Sequence, residues 1–268
     1  MGKFDGFLIA SDFDGTLKND NGKIDECVIE AVRYFQSEGG YFTLSTGRTV
    51  QGLCLYDLSL YNAPILCANG STAYDASKKE CIFSFGLGEE GRAFVNHITK
   101  RFPQLSIEMY PFGSTYAINL TDLNHRHFSC QGIEYTVTDS ADNVPVPWQK
   151  CMISGSSELL KEVQSYIERN FSDPTFLPTD GEIVEILKKG VDKGTGLLRL
   201  ADYLGIRRDK VFAVGDGYND LEMLVAAAES FVPENGDEKI KAMASHIVRS
   251  NNDGAVANVI EILDKKRG

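Results

Sequence analysis

The chain has 268 residues, 43% of them hydrophobic, enough for a large buried core and one or two domains. Its formal net charge of -11 argues against nucleic-acid and anionic-membrane partners, which demand clustered Lys and Arg. No run of about 18 apolar residues occurs, so no transmembrane helix is expected. The six cysteines lack any CxxC spacing, which reads as reduced thiols in a cytoplasmic protein rather than a zinc site or disulfide framework.

Residues 7–10 (Phe-Leu-Ile-Ala) form a short continuous apolar run, the pattern of a strand buried on both faces of a parallel sheet. Apolar positions then recur at Cys27, Val28, Ala31, Val32 and Phe35 with helical spacing, and Gly39-Gly40 ends the helix. Residues 41–44 read as a second strand, 48–61 as a helix and 64–68 as a third strand. This β-α-β-α-β order implies a parallel sheet with right-handed crossovers.

The rhythm then changes. Residues 72–76 and 80–85 read as a hairpin, 89–101 as a helix, and 105–110, 115–119 and 133–138 as strands. A helix is expected over 157–170, with strands at 175–177 and 182–187. Such a series suggests a separate α+β domain. The α/β rhythm returns near Lys193, with a helix through Leu197–Leu204, a strand at 211–214, a helix over 220–228, short strands at 230–232 and 246–248, and a closing helix over 254–264. The expected architecture is an α/β, Rossmann-like parallel-sheet core (1–83 and 188–268) interrupted by an inserted α+β cap domain (84–187).

Ligands of open α/β sheets bind at the carboxyl ends of the strands. Asp12, Thr46, Asn69 and Asp216 each follow a predicted strand and would converge on one crevice. Asp12 and Asp14 are two apart on extended backbone, which turns both side chains to one side, and Gly15 permits a sharp turn after them. One carboxylate can act as a nucleophile and the other can move a proton. The plain alternative is a surface Asp turn.

Two adjacent carboxylates facing a phosphate need a cation. Asp216 and Asp220 add hard oxygens of the kind Mg2+ prefers. Thr46 and Gly47, before the predicted helix, offer a hydroxyl and backbone amides to an anion, or are a plain N-cap. Lys193 is a solvated lysine or a group that neutralises a transferred phosphoryl.

These motifs, in this order, resemble the haloacid dehalogenase-like hydrolase superfamily over the whole chain. The resemblance implies that Asp12 is the nucleophile that becomes an aspartyl-phosphate, and that Asp14 is the general acid/base, with its carbonyl a metal ligand. It implies phosphate binding by Thr46, Gly47, Lys193 and Asn219. The Mg2+ site would comprise Asp12, Asp14 and Asp216, with Asp220 supporting the metal through water. Asp14 points to phosphatases and phosphomutases, since dehalogenases lack it.

Thirty-four residues separate Asp12 from Thr46, and 147 separate Thr46 from Lys193, so the insert falls in the second gap. That is similar to the Cof-type subfamily, as are Asn69-Gly70, Glu185-Ile186 and Asn252-Asp253-Gly254. The implied activity is a Mg2+-dependent phosphatase for a small phosphorylated metabolite, a sugar phosphate first among them. The alternatives are a phosphomutase or phosphotransferase of the phosphomannomutase type and a non-catalytic phosphometabolite-binding protein. Asn69, Gly70 and Glu185 are candidate substrate contacts. His125-Arg126-His127 binds a second anionic group or is a solvated loop.

Overall fold

The computed structural model describes residues 2–171, 174–178 and 181–266. The chain forms two compact units: one takes in the chain up to Gly47, Asp57–Ile82 and the chain from Asp192, the other Arg48–Tyr56 and Phe83–Val191.

The first unit opens with β1 (Leu8–Ser11), α1 (Glu26–Ser37) and β2 (Tyr41–Leu44), followed by β3 (Ile65–Cys67), β4 (Thr72–Asp75) and the start of β5 (Glu80–Ser84), within which the boundary falls. The second unit then runs α2 (Glu89–Arg101), β6 (Ser106–Pro111), β7 (Tyr116–Ile118), α3 (Asp122–Gln131), β8 (Thr136–Val137), β9 (Trp148–Ser154), α4 (Ser157–Asn170), β10 (Pro174–Pro178) and β11 (Ile183–Lys188). The chain returns to the first unit with α5 (Lys193–Tyr203), β12 (Val211–Val214), α6 (Leu221–Ala226), β13 (Glu229–Pro233), α7 (Glu238–Lys241), β14 (His246–Val248) and α8 (Ala255–Lys265). Among the described residues no helix is long and apolar enough to cross a membrane.

In the first unit, β14-β13-β12-β1-β2 form one sheet whose neighbours are all parallel. β1 and β12 lie inside it and are buried along their whole length, which is why both are apolar without alternation. α1 turns Val28, Val32 and Phe35 inward as its spacing predicts, whereas Cys27, expected on the same face, is exposed and Ala31 is half-buried.

Two expectations fail here. Residues 64–68 do not extend the parallel sheet as a full strand. β3 pairs antiparallel with β4, and only a single parallel bridge, Ser45 to Leu66, joins it to the chain after β2. The helix expected over 48–61 shrinks to a three-residue 3-10 turn, Gln51–Leu53. Polar side chains hold the following backbone in other shapes. Asp57 accepts from the amide and hydroxyl of Ser59, while Asn62 bonds the Phe42 amide and the Gly40 carbonyl.

The second unit carries the six-stranded sheet β10-β11-β9-β6-β7-β8. Ile107, Met109, Cys151, Ile153, Val184 and Ile186 join one buried cluster with residues of α2 and α4. The intervening positions, including Tyr110, Met152 and Ile183, cluster with Phe128 of α3. α3 replaces the loop expected around His125-Arg126-His127. A capping box between Thr121 and Asn124 starts it and left-handed Gly132 ends it, signals that its weak apolar pattern obscures. β9 also escaped the periodicity reading, because its polar Gln149 and Lys150 are buried.

One buried polar network crosses this second face. Glu108 accepts from Tyr110 Oη, from Asn124 Nδ2 at 2.7 Å and from His127 Nδ1 at 3.0 Å. Burial pushes the Glu108 carboxyl up, but the bonds from His127, Asn124 and Tyr110 outweigh it and hold the group below the ordinary glutamate value of 4.5. A carboxyl depressed on folding adds stability above its unfolded pKa, and that stability is lost as pH falls through the folded value. Urea unfolding followed by Trp148, the single tryptophan and a buried residue of this unit, should therefore weaken below pH 4.5. In Glu108→Gln that decline should be shallower, and an unchanged decline would remove Glu108 as its source.

Candidate active site

β1 ends at Ser11, and the chain leaves the sheet through Asp12, whose amide bonds the Val214 carbonyl at 2.8 Å. Asp12 is thereby pinned between the carboxyl ends of β1 and β12, and only 6% of it is exposed. A tight turn, Phe13–Leu17, follows, with Gly15 at φ +81°. A Cβ on Gly15 would stand 2.6 Å from Asp216 Oδ2, so glycine lets this turn lie against the Asp216 carboxylate. Thr16 Oγ1 then donates to Asp216 Oδ1 at 2.6 Å, while Asn235 Nδ2 holds the Gly15 carbonyl at 2.8 Å.

The second carboxylate of the motif is placed differently. Asp14 is half exposed and pairs with Lys18 Nζ at 2.7 Å. Lys18 is itself buried, lies over the Phe13 ring, and its carbonyl accepts from Asn251 Nδ2 at 3.0 Å.

Lys193 opens α5. Asp192 caps the helix by accepting from Thr195 N at 2.7 Å. α5 can approach closely because Gly196 faces Gly70; a Cβ on Gly196 would meet Gly70 Cα at 2.6 Å. Lys193 is fully buried, and its Nζ donates to Asp12 Oδ1 and Asp220 Oδ1, both at 2.5 Å. The other oxygen of Asp220 accepts from the amides of Asp216 and Gly217 at 3.0 Å each.

Three carboxylates thus meet: ligand-capable oxygens of Asp12, Asp216 and Asp220 all lie within 4.8 Å of one another. Burial pushes the Asp12 carboxyl well up; Lys193 opposes this, and Asp220 and Asp216 add to it. Asp216 is likewise raised, first by burial. Burial alone would lower the Lys193 ammonium, but Asp12 and Asp220 outweigh it and raise it. The cluster carries more negative charge than Lys193 balances, and its donors are all hard oxygens, a set that fits a divalent cation such as Mg2+.

The phosphate-side candidates lie around the end of β2. Thr46 is buried, and its amide bonds the Leu66 carbonyl at 2.9 Å. Asn69 sits at φ 53°, donates its amide to the Thr46 carbonyl at 3.0 Å, and accepts from Asn219 Nδ2 at 3.4 Å. A Cβ on Gly47 would lie 3.3 Å from Asn69 Oδ1, so Gly47, Asn69 and Asn219 are neighbours. No α-helix follows Gly47, so the helix N-terminus expected there is absent. Glu185 belongs to the other unit, where Lys150 Nζ donates to it at 2.5 Å. Of the supporting residues, Thr16 and Asn251 lie in sequence motifs, the first and the last, although neither was given a role; Lys18 and Asn235 carried no sequence signal.

The model of the haloacid dehalogenase-like hydrolase family matches residues 9–260. The 5-amino-6-(5-phospho-D-ribitylamino)uracil phosphatase YitU of Bacillus subtilis is 26% identical, covering 95% of this chain and 96% of its own. The putative phosphatase YxeH of the same organism is 29% identical, covering 96% and 97%. Among solved structures, a haloacid dehalogenase-like hydrolase from Bacteroides thetaiotaomicron superposes with a TM-score of 0.85 at 27% identity, covering 96% and 99%.

Removing the buried cation tests the cluster directly. Lys193→Met leaves Asp12 and Asp220 without their ammonium partner, which should cost about 3–5 kcal/mol of stability in chelator-treated protein. Urea unfolding checks it; a loss below about 1 kcal/mol would mean that the carboxylates do not depend on Lys193.

Proposed function

As this chain belongs to the haloacid dehalogenase-like hydrolase family and is a phosphoric monoester hydrolase, we propose that Asp12 attacks the phosphorus of a small phosphorylated metabolite, with a sugar or polyol phosphate the leading class. The observation that carries this reading is the convergence of Asp12, Asp216 and Asp220 on buried Lys193. The substrate class draws on the relative YitU, named for a ribityl phosphate.

In the first half-reaction an Asp12 oxygen forms a bond to phosphorus as the ester P–O bond breaks, and Asp14 gives its proton to the leaving oxygen. In the second, Asp14 takes a proton from water as that water attacks the aspartyl-phosphate. The bond to Asp12 breaks, and phosphate leaves with the carboxylate restored. The half-exposed position of Asp14 suits exchange of protons with water, and Lys18 keeps its carboxylate in place.

Lys193 faces the nucleophile and would meet phosphoryl charge there, with Thr46, Gly47 and Asn219 as further phosphate contacts. Asp12, Asp216 and the Asp14 carbonyl would hold Mg2+, with Asp220 behind them. The bound ion would supply positive charge against the phosphate dianion. Asn69, Gly70 and Glu185 are the candidate substrate contacts, and we assign substrate choice to the second unit.

Asp12→Asn should abolish turnover of p-nitrophenyl phosphate while leaving the unfolding midpoint near that of wild type. Activity near the wild-type level in this variant would sink the mechanism. EDTA should stop turnover and added Mg2+ restore it; full activity in excess chelator would remove the metal from the scheme. Release of inorganic phosphate from a panel of sugar and polyol monoesters, rather than isomerised sugar phosphate, is the expected product pattern.

A further inference from the structure

Within the second unit a cavity of about 450 Å³ opens at the end of the sheet where β9 finishes. Its lining includes Thr121, Asp122 and Arg126 from the start of α3, Ser154 from β9, Ser156 before α4, and Glu182 before β11. No role in phosphoryl transfer falls to any of them.

Three features make this a built site. Ser154 is only 3% exposed, yet its Oγ has no hydrogen-bond partner. It alternates with Cys151 and Ile153, which face α2 and α4, and so lies on the Met152 side of the sheet, where α3 packs. Buried hydroxyls are normally satisfied, so an orphan one on a cavity wall points to a missing partner.

The N-termini of α3 and α4, helices of 10 and 14 residues, both reach the cavity. Each contributes first-turn amides that have no acceptor within its own helix and the positive end of a helix dipole. Arg126, one turn along α3, adds a guanidinium. Opposed to these stand the carboxylates of Asp122 and Glu182. They would repel a dianion but readily accept hydroxyl groups.

We propose that this cavity binds a small polyhydroxylated monocarboxylate. Its carboxylate lies toward Arg126 and the two helix N-termini, and its hydroxyls bond Ser154, Asp122 and Glu182. The site is separate from the proposed phosphatase chemistry, because the ligand carries no phosphate ester and the lining holds none of the candidate catalytic residues.

The test uses the full ¹⁵N-labelled chain, D-gluconate as probe and D-glucitol as its uncharged counterpart. Gluconate should shift the amides of Asp122, Leu123, Ser157 and Glu158 saturably, with a Kd on the order of 1 mM. Glucitol should bind at least about tenfold more weakly, since it lacks the carboxylate. Arg126→Ala should weaken gluconate about tenfold, and Ser154→Val, which removes the hydroxyl and fills the space, should weaken it as much. Both variants should keep the remaining spectrum and the turnover of p-nitrophenyl phosphate. Absence of saturable shifts at these amides, equal binding of glucitol, or an unchanged Kd in either variant would each overturn the proposal.

Discussion

Everything at the candidate active site depends on one buried ammonium. Lys193 has no exposed surface, and it holds Asp12 and Asp220 together at 2.5 Å each. Burying several carboxylates in one place is costly unless positive charge accompanies them. Lys193 meets part of that demand, and the raised pKa values of Asp12 and Asp216 mark the part it leaves. The arrangement therefore favours further cations, whether a metal ion or the charged groups that accompany phosphate transfer. α5, which carries Lys193, comes close to the turn between β3 and β4, where Gly196 passes Gly70.

The same constraint explains the glycines and small polar groups nearby. Gly15 allows the turn after Asp12 to lie against Asp216, and Thr16 then hydrogen-bonds that carboxylate. Asp220 is held by two backbone amides as well as by Lys193. Each carboxylate of the cluster thus has fixed donors before any substrate arrives, the kind of preorganisation that electrostatic catalysis uses. Asp14 contrasts with them. It is half exposed and paired to the buried Lys18.

The second unit distributes polarity in another way. Its sheet devotes one face to an apolar cluster with α2 and α4. The other face carries Glu108, Lys150 and Glu185 among apolar side chains, each with a partner. Buried charge on a sheet face restricts which neighbours it can accept, so this face is chemically specific in a way that an apolar one would not be. The Ser154 hydroxyl lacks such a partner, as do Thr115 Oγ1 and Gln149 Oε1, and of these three only Ser154 lines the cavity.

Much of the first unit was legible in the residue order. Uninterrupted apolar runs mark β1 and β12 because strands inside a parallel sheet are buried on both faces. Helical spacing marks α1 here, and α2 and α4 in the second unit, because each covers one side of a core. The motifs after β1, β2 and β12 lie at carboxyl ends of parallel strands, a consequence of topology that a strand order alone implies.

Other features were decided only by long-range contacts. The stretch after Gly47 is too polar in its local bonding to remain helical, and α3 forms because Phe128 finds a sheet face to cover. β9 contains buried Gln149 and Lys150, whose burial no local pattern announces. The residue types of the site, and their order along the chain, were determined by the sequence. That Lys193 reaches Asp12 across 181 positions, and that Thr16 reaches Asp216 across 200, was decided by the tertiary structure alone. Hydrogen bonds and ion pairs depend on distance in space, and separation along the chain does not record it.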